Sequence, residues 1–262
     1  MHLADSFAES KRRCKKGERK MRLVSKSDTG LKRSNNEDCV FAKELGENAA
    51  FAVLCDGMGG ANAGQVASKM ACDMISQKIS MCYREDMTIS SIENMLLSAI
   101  TTANVSIYDA AEGDITLKGM GTTVICAVVI AGQICIGHAG DSRAYIISKS
   151  GIRQLTRDHS FVQQMYDKGE ISVEQLKNHP NKNLITRALG VEEEIEIDFN
   201  TDYLNEGETL LLCSDGLSNY VDADEIYRII NDTDASGVAD ALVNRANANG
   251  GGDNISVAAV SY

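Results

Sequence analysis

The hydrophobic pattern of this chain alternates between short apolar runs and longer segments with apolar residues every three or four positions. Runs of strand length that end at glycine or polar turns predict β-strands, whereas the longer period predicts amphipathic helices. The spacing predicts helices over 63–79, 92–110, 224–230 and 238–246. We find no internal repeat and no linker, so we expect one domain. The predicted strands are 39–43, 50–55, 121–131, 134–139, 144–147, 209–213 and 255–260, and the three runs between 121 and 147 indicate an antiparallel meander.

Two segments break this pattern. Residues 158–183 are polar and interrupted, with short helical pieces around Phe161–Tyr166 and Val173–Leu176, which predicts an excursion from the core. Residues 1–20 are polar and basic and have no clear apolar period, so we expect a mobile arm or an upstream extension that precedes a folded domain of residues 21–262. A basic anchor to an anionic surface is less favoured, because no hydrophobic signal accompanies the charges.

The composition excludes several classes of protein. A formal charge of -11 argues against a nucleic-acid binder, which needs a basic face. No apolar run approaches the length that a membrane span requires. None of the eight cysteines belongs to a C-x-x-C pair or has an Arg six positions later, and the N-terminus has no secretory apolar segment. We therefore expect reduced thiols in the cytoplasm, and neither a disulfide framework, a zinc site nor a thiolate phosphatase.

Candidate chemistry lies at the ends of predicted strands. Asp56 and Asp215 each end an apolar strand and precede a glycine, while Asp253 opens a strand after three glycines. Glu37 and Asp38 lie immediately before another strand. Any one of these is more often an ordinary turn. If the strand ends meet at one edge of a sheet, however, they gather the oxygen ligands that Mg²⁺ and Mn²⁺ prefer.

Arg33 adds the complementary charge close to this set. A guanidinium beside a metal–carboxylate cluster matches two oxygens of a phosphate ester. A surface ion pair explains Arg33 equally well from the sequence alone.

These residues give the chain a resemblance to the metal-dependent Ser/Thr protein phosphatases of the 2C type, in particular the bacterial ones. Eight short stretches occur in the family order between about Asp28 and Val260; each is modest alone, and eight in register are highly specific. The stretches are Arg33-x-x-Asn36-Glu37-Asp38, Asp56-Gly57-Met58-Gly59-Gly60, Met120-Gly121-Thr122-Thr123, Gly140-Asp141-Ser142-Arg143-Ala144-Tyr145, Asp158-His159-Ser160, Thr186-Arg187-Ala188-Leu189-Gly190, Ser214-Asp215-Gly216-Leu217 and Gly252-Asp253-Asn254-Ile255.

The resemblance implies an α+β fold of four layers, α-β-β-α. Two antiparallel β-sheets would pack face to face, with antiparallel helices outside them. Residues 21–262 would form the catalytic domain, and the segment of about 158–183 would be the mobile flap beside the active site.

The resemblance also implies roles for the candidate residues. Asp56 would bridge two Mn²⁺ or Mg²⁺ ions, and Arg33 would hold the phosphate of the substrate. A hydroxide shared by the two ions would attack the phosphorus of phosphoserine or phosphothreonine directly, without a phosphoenzyme. Asp56 and Arg33 are thus the expected catalytic residues. The implied metal ligands are Glu37, Asp38, Asp56, Gly57 (through its carbonyl), Asp215 and Asp253, of which Glu37 and Asp38 would bind directly or through metal-bound waters.

Two positions depart from the family pattern. Met58 stands where some relatives carry a histidine proposed as the general acid, so the leaving group must take its proton from a metal-bound water or another group. His159 is a candidate, although a structural role is favoured in its motif. Lys118 stands where many bacterial members carry an aspartate that helps to bind a third metal. Because an ammonium group disfavours a nearby cation, we expect a third site to be weak or absent.

Three further motif residues are expected to be structural. We expect Asp141 and Arg143 to pair across a turn, and His138 to pack in the core.

The leading hypothesis is a cytoplasmic, monomeric phosphoprotein phosphatase that opposes a bacterial Ser/Thr kinase and binds neither nucleic acid nor membrane. A catalytically silent phosphoprotein-binding module is the alternative from another class, but such a module has no physical need for the carboxylates and Arg33. Hydrolysis of another phosphoester is a third reading.

Overall fold

A computed structural model describes residues 21–60 and 63–262, in which the strands form two antiparallel sheets. In chain order, the strands are β1 (Arg22–Asp28), β2 (Asp38–Gly46), β3 (Ala49–Met58), β4 (Gly121–Thr122), β5 (Val124–Ile130), β6 (Gln133–Ala139), β7 (Arg143–Ser148), β8 (Gly151–Gln154), β9 (Asp198–Tyr203), β10 (Thr209–Cys213) and β11 (Ile255–Ser261). The helices are α1 (Ala63–Cys82), α2 (Ile89–Gly113), α3 (Phe161–Asp167), α4 (Val173–Asn178), α5 (Asp215–Ser218), α6 (Ala223–Asp232) and α7 (Val238–Ala248), with a 3₁₀ turn at Ile115–Leu117. The expected N-terminal extension, residues 1–20, lies outside the described residues and stays a prediction.

The two sheets differ in strand order from the predicted meander. One sheet runs β1-β11-β10-β7-β8 and the other β2-β3-β5-β6-β9, with β4 paired to the end of β3. β5 and β6 do pair, but β6 continues to β9, and β7 pairs with β10 in the other sheet. The meander is therefore wrong at its last step. β7 is buried along most of its length like β6, so its hydrophobic pattern could not reveal that the chain changes sheets at Gly140.

Alternation along the strands explains why four layers form. Leu54 of β3 packs in the cluster between the two sheets together with Leu212 of β10, whereas its neighbour Val53 packs against α1 and α2. Leu211 of β10 packs in the same way against α6 and α7. Successive side chains of a strand point to opposite faces of the sheet. When both faces are covered, every side chain is buried, so the strand appears in the sequence as a continuous apolar run. The four-layer α-β-β-α architecture is confirmed.

In the part of the chain that the structure describes, no helix combines the length and the apolar character that crossing a bilayer demands.

Candidate metal centre

A cleft with a volume of about 150 Å³ opens where strand ends from both sheets meet. Asp38 does not line this cleft, but it is the register partner of Asp56 across β2 and β3 and is buried. Residues that lie far apart in the sequence are thus brought to one place. The predicted site residues that line the cleft are Arg33, Glu37, Asp56, Gly57, Asp215 and Asp253.

The main chain of Asp56 is fixed on both sides by the Met-Gly-Thr-Thr motif. Its N–H donates to Thr123 Oγ1 at 3.0 Å, and its carbonyl accepts from the Thr123 N–H at 2.8 Å. The Thr122 hydroxyl donates to the same carbonyl at 2.9 Å. The motif therefore holds the carboxylate-bearing end of β3 in one position.

Gly57 lies where two chain segments cross. A Cβ at this position would lie 2.1 Å from the Gly64 carbonyl oxygen and 2.6 Å from that of Glu37. Both contacts are far inside van der Waals distance, so only glycine fits. Its N–H donates to the Glu37 carbonyl at 3.1 Å, which joins the end of β3 to the segment that carries Glu37.

The loop that carries Arg33 and Glu37 is held by the side chain of Asn254. The Asn254 Oδ1 atom accepts from the Glu37 N–H at 2.8 Å, and its Nδ2 atom donates to the carbonyls of Thr29 and Asn35 at 2.9 Å each. Asn254 was not among the predicted site residues, although its Gly-Asp-Asn motif marked the position. Its amide supplies the contacts that order this loop.

Replacing Asn254 by alanine is expected to weaken Mn²⁺ affinity by about 10–100-fold, the usual cost of losing a group that orients metal ligands. Isothermal titration with Mn²⁺ measures the effect. The matched control is Asn205→Ala, because Asn205 makes its hydrogen bonds to Glu208 on the exposed surface. Equal Mn²⁺ affinities in the two variants would show that the Asn254 amide does not order the ligands.

Asp38 has a buried carboxylate oxygen that no protein group satisfies. Its Oδ2 atom accepts from the Ser214 hydroxyl at 2.8 Å, whereas its Oδ1 atom is buried and has no hydrogen-bond partner. A buried carboxylate oxygen without a partner is costly, unless it is protonated or ligates a cation.

The raised pKa values of the buried carboxyl groups also indicate a site for a cation. Burial, followed by the charges of Asp38 and Asp215, raises the pKa of Asp56 well above its ordinary value. Burial raises the pKa of Asp38 to about 7 and that of Asp215 to about 6. Among the described residues that line the cleft, Arg33 is the only cationic one. A divalent cation would offset these carboxylates, so the residues fit a metal centre.

The sequence left two interpretations of Arg33 open, a phosphate-binding group and a surface ion pair, and its geometry is compatible with both. Its NH2 atom lies 2.9 Å from Asp253 Oδ2, so it makes an ion pair, but with a candidate metal ligand at the cleft. Its side chain is 52% exposed. Because a guanidinium has five donors, this contact uses only part of its capacity.

Asp141 and Arg143 do not pair across the turn, so that expectation is wrong. Arg143 instead donates to both oxygens of Asp158, from Nε to Oδ1 at 2.9 Å and from NH2 to Oδ2 at 2.6 Å. Asp141 lines the cleft, and burial together with the Asp215 charge raises its pKa to about 8. The motif could not reveal this, because a segment 15 residues further on supplies the partner of Arg143.

Asn183 and Ile185 also line the cleft, and no motif in the sequence identified them.

His138, His159 and Asp198 form a second group of converging ligand atoms. The Gly140 N–H donates to His159 Nδ1 at 3.1 Å, so we assign the proton of the neutral ring to Nε2, 3.2 Å from Asp198 Oδ2. Arg187 NH1 lies 2.7 Å from Asp198 Oδ1 and 3.0 Å from His159 Nε2. A guanidinium already occupies the place of a cation, and His159 offers it no lone pair. We therefore assign this group a structural role, as the sequence suggested for both histidines.

The two departures from the family pattern lie in different places. Met58 lines the cleft, and its Cε atom would lie 2.8 Å from a Cβ at Gly121. Lys118 follows the 3₁₀ turn, is exposed and does not line the cleft.

Comparisons with known proteins give a consistent result. A family model described as "Protein phosphatase 2C" matches residues 31–250. The chain is 40% identical over 241 residues to the serine/threonine phosphatase stp of Listeria monocytogenes, covering 90% of this chain and 94% of the relative. The crystal structure of serine/threonine phosphatase Stp1 from Staphylococcus aureus superposes with a TM-score of 0.87 at 35% identity, covering 92% and 95% of the two chains. A structure of the PstP catalytic domain with two manganese ions superposes with a TM-score of 0.80 at 31% identity, covering 92% and 98%.

Proposed function

Because this chain belongs to the protein phosphatase 2C family, we propose that its cleft holds two divalent cations and is the site where phosphate is removed from phosphoserine and phosphothreonine in proteins. The chain is a metal-dependent serine/threonine protein phosphatase. The observation that carries the proposal for the cleft is that the carboxylates of Asp56, Asp215 and Asp253 line it together with the guanidinium of Arg33.

We propose Asp56 as the ligand shared by both cations, with Arg33 as the group that binds the phosphate. The partnerless Oδ1 atom of Asp38 and the mutual charge of the carboxylates support this ligand set. When bound, two cations lower the pKa of a water molecule and offset charge on the phosphoryl oxygens. Asp141 lines the same cleft and becomes a further candidate ligand. The complete proposed set is Glu37, Asp38, Asp56, Gly57 (through its carbonyl), Asp141, Asp215 and Asp253.

The chain itself orients the substrate and limits its proton chemistry. Arg33 presents a planar fork of donors that matches two phosphate oxygens, and its pair with Asp253 directs it towards the cleft. Met58 has no proton to donate, and no histidine is among the described residues lining the cleft. We propose that the departing serine or threonine oxygen takes its proton from water.

A protein substrate suits the surroundings of the cleft. A cavity of about 710 Å³ adjoins it and shares Asp141 and Asp215 as lining residues. This space can hold side chains that flank a phosphorylated residue. We propose that the substrates are phosphoproteins made by a Ser/Thr kinase of the same cell. The cysteines in the described residues are free thiols, which fits a reducing compartment such as the cytoplasm.

We propose two tight cation sites and a third that is weak or absent. Lys118 supplies no carboxylate and does not line the cleft. Isothermal titration with Mn²⁺ is expected to give two tight sites. Lys118→Asp should add or strengthen a third site, whereas Lys118→Ala, which removes only the charge, should not. Three tight sites in the unaltered protein would contradict this proposal.

A panel of phosphopeptides tests the function. With Mn²⁺, we expect release of phosphate from phosphoserine and phosphothreonine peptides, little release from phosphotyrosine peptides, and none after chelation. Binding of the same peptides without release would support the silent binding module. Faster release from a non-protein phosphoester than from every peptide would favour the third reading.

A further inference from the structure

The flap, residues 158–183, is joined to the core at its base by contacts of His159. The His159 carbonyl accepts from the Thr186 N–H at 2.8 Å, and the adjacent Ser160 forms a β-bridge with Ile185. Ile185 and Asn183, at the return of the flap, both line the catalytic cleft. The base of the flap therefore determines where this wall of the cleft lies.

His159 is also joined to the turn that carries Asp141. Its N–H donates to the Gly140 carbonyl at 2.9 Å, and its Nδ1 atom accepts from the Gly140 N–H at 3.1 Å. Gly140 has φ of +118°, in a region where glycine is favoured, and it has no side chain of its own to fix the turn. Its buried N–H needs an acceptor, and the imidazole supplies it.

The imidazole ring is held rigidly in this position. It is 8% exposed and stacks on His138 with ring centroids 4.6 Å apart and planes at 13°. The other ring nitrogen faces Asp198, which also pairs with Arg187. A ring fixed on both sides can define the position of the Gly140 N–H.

We propose that His159 is a positioning residue that couples the flap to Asp141. Through Nδ1 it fixes the Gly140–Asp141 turn, and through its carbonyl it fixes the return of the flap. His159 does not line the cleft, so it acts through Asp141 and Ile185. This inference rests on the proposed function, in which Asp141 belongs to the metal centre.

Two substitutions test the contacts of the two ring nitrogens separately. His159→Asn places an amide oxygen near the position of Nδ1 and keeps the acceptor for Gly140, but it cannot reach Asp198. His159→Gln extends to the far end of the ring and keeps a donor for Asp198, but it loses the acceptor. Both variants are expected to lower Tm, since both lose a buried contact.

We expect H159Q to weaken Mn²⁺ affinity and to lower kcat on p-nitrophenyl phosphate by about 10-fold each, with KM little changed, as for other losses of ligand orientation. For H159N, the Mn²⁺ affinity and kcat should each stay within about 3-fold of the value for the unaltered protein. In an Asp141→Asn background, H159Q should weaken Mn²⁺ binding no further.

Mn²⁺ affinity also distinguishes this inference from the proposed function. If the unaltered protein bound Mn²⁺ without releasing phosphate, the proposed function would fail while the titrations still tested His159. Equal Mn²⁺ affinities in H159N and H159Q would overturn the inference. Fast hydrogen exchange of the Gly140 amide in the unaltered protein would also overturn it, and that measurement needs no variant to fold.

Discussion

Replacing Asp56 by asparagine is expected to reduce phosphatase activity by more than about 100-fold, because loss of a group that merely orients a ligand already costs about 10–100-fold. Asparagine keeps the size of the side chain and leaves the main-chain contacts to Thr122 and Thr123 in place. It removes the charge that we propose both cations share. Mn²⁺ titration should show the loss of at least one tight site.

The same variant is expected to be more stable than the unaltered protein when both are free of metal. The pKa of Asp56 is raised by burial and by neighbouring carboxylates, so its charge opposes folding at neutral pH. Removing that charge should add about 1–3 kcal/mol to the free energy of unfolding in a chelator.

Asp73→Asn is the matched control, because Asp73 is exposed on α1 and pairs only with Lys69 among the contacts described. Its activity and stability should change little, the latter by less than about 0.5 kcal/mol. If Asp56→Asn destabilised the metal-free protein, the carboxylate would be stabilised by its neighbours and not repelled by them.

Without metal, the free energy of unfolding is expected to fall as the pH rises from about 4 to about 8. The pKa values of Asp215, Asp38 and Asp141 are raised by burial to about 6, about 7 and about 8, from an ordinary value of 3.8. Over this interval the folded state binds more protons at these groups than the unfolded state, so the stability that they contribute is fully present below about pH 4 and is lost as they ionise. A carboxyl group whose pKa rises from 3.8 to about 7, as for Asp38, contributes roughly 4 kcal/mol. Contributions from neighbouring carboxylates do not simply add.

Saturating Mn²⁺ should remove this fall in stability. A cation stabilises the ionised carboxylates, and binding to the folded state alone adds about 2.7 kcal/mol at a concentration 100 times Kd. Urea unfolding at pH 5 and pH 8, with Mn²⁺ or with a chelator, measures both effects. A flat pH profile of the metal-free protein would mean that these carboxylates do not share one buried site.

The sequence could predict the carboxylates of the centre because their setting is local. Asp56 and Asp215 follow buried strands and precede glycines, and Asp253 opens a strand, so each position could be recognised from a few neighbouring residues. Their convergence follows once the strands belong to two packed sheets. The hydrophobic pattern predicted the four long helices and most of the strands, but it missed β1, β8 and β9, and it left the order of the strands within each sheet open.

The contacts that orient these carboxylates could not be predicted in the same way. The Ser214 hydroxyl that holds Asp38 lies 176 positions from it in the sequence, and the Asn254 amide lies 217 positions from the Glu37 N–H that it accepts from. Such pairs depend on strand register, which no short motif encodes. For the same reason Asp141 was expected in a turn pair, whereas the structure places it in the cleft.

Diffraction from Mn²⁺-containing crystals at the manganese absorption edge tests the central claim most directly. We predict two anomalous peaks in the cleft, beside Asp56 and within reach of Asp215 and Asp253. An empty cleft, or manganese bound only at the group of His138, His159 and Asp198, would contradict the account.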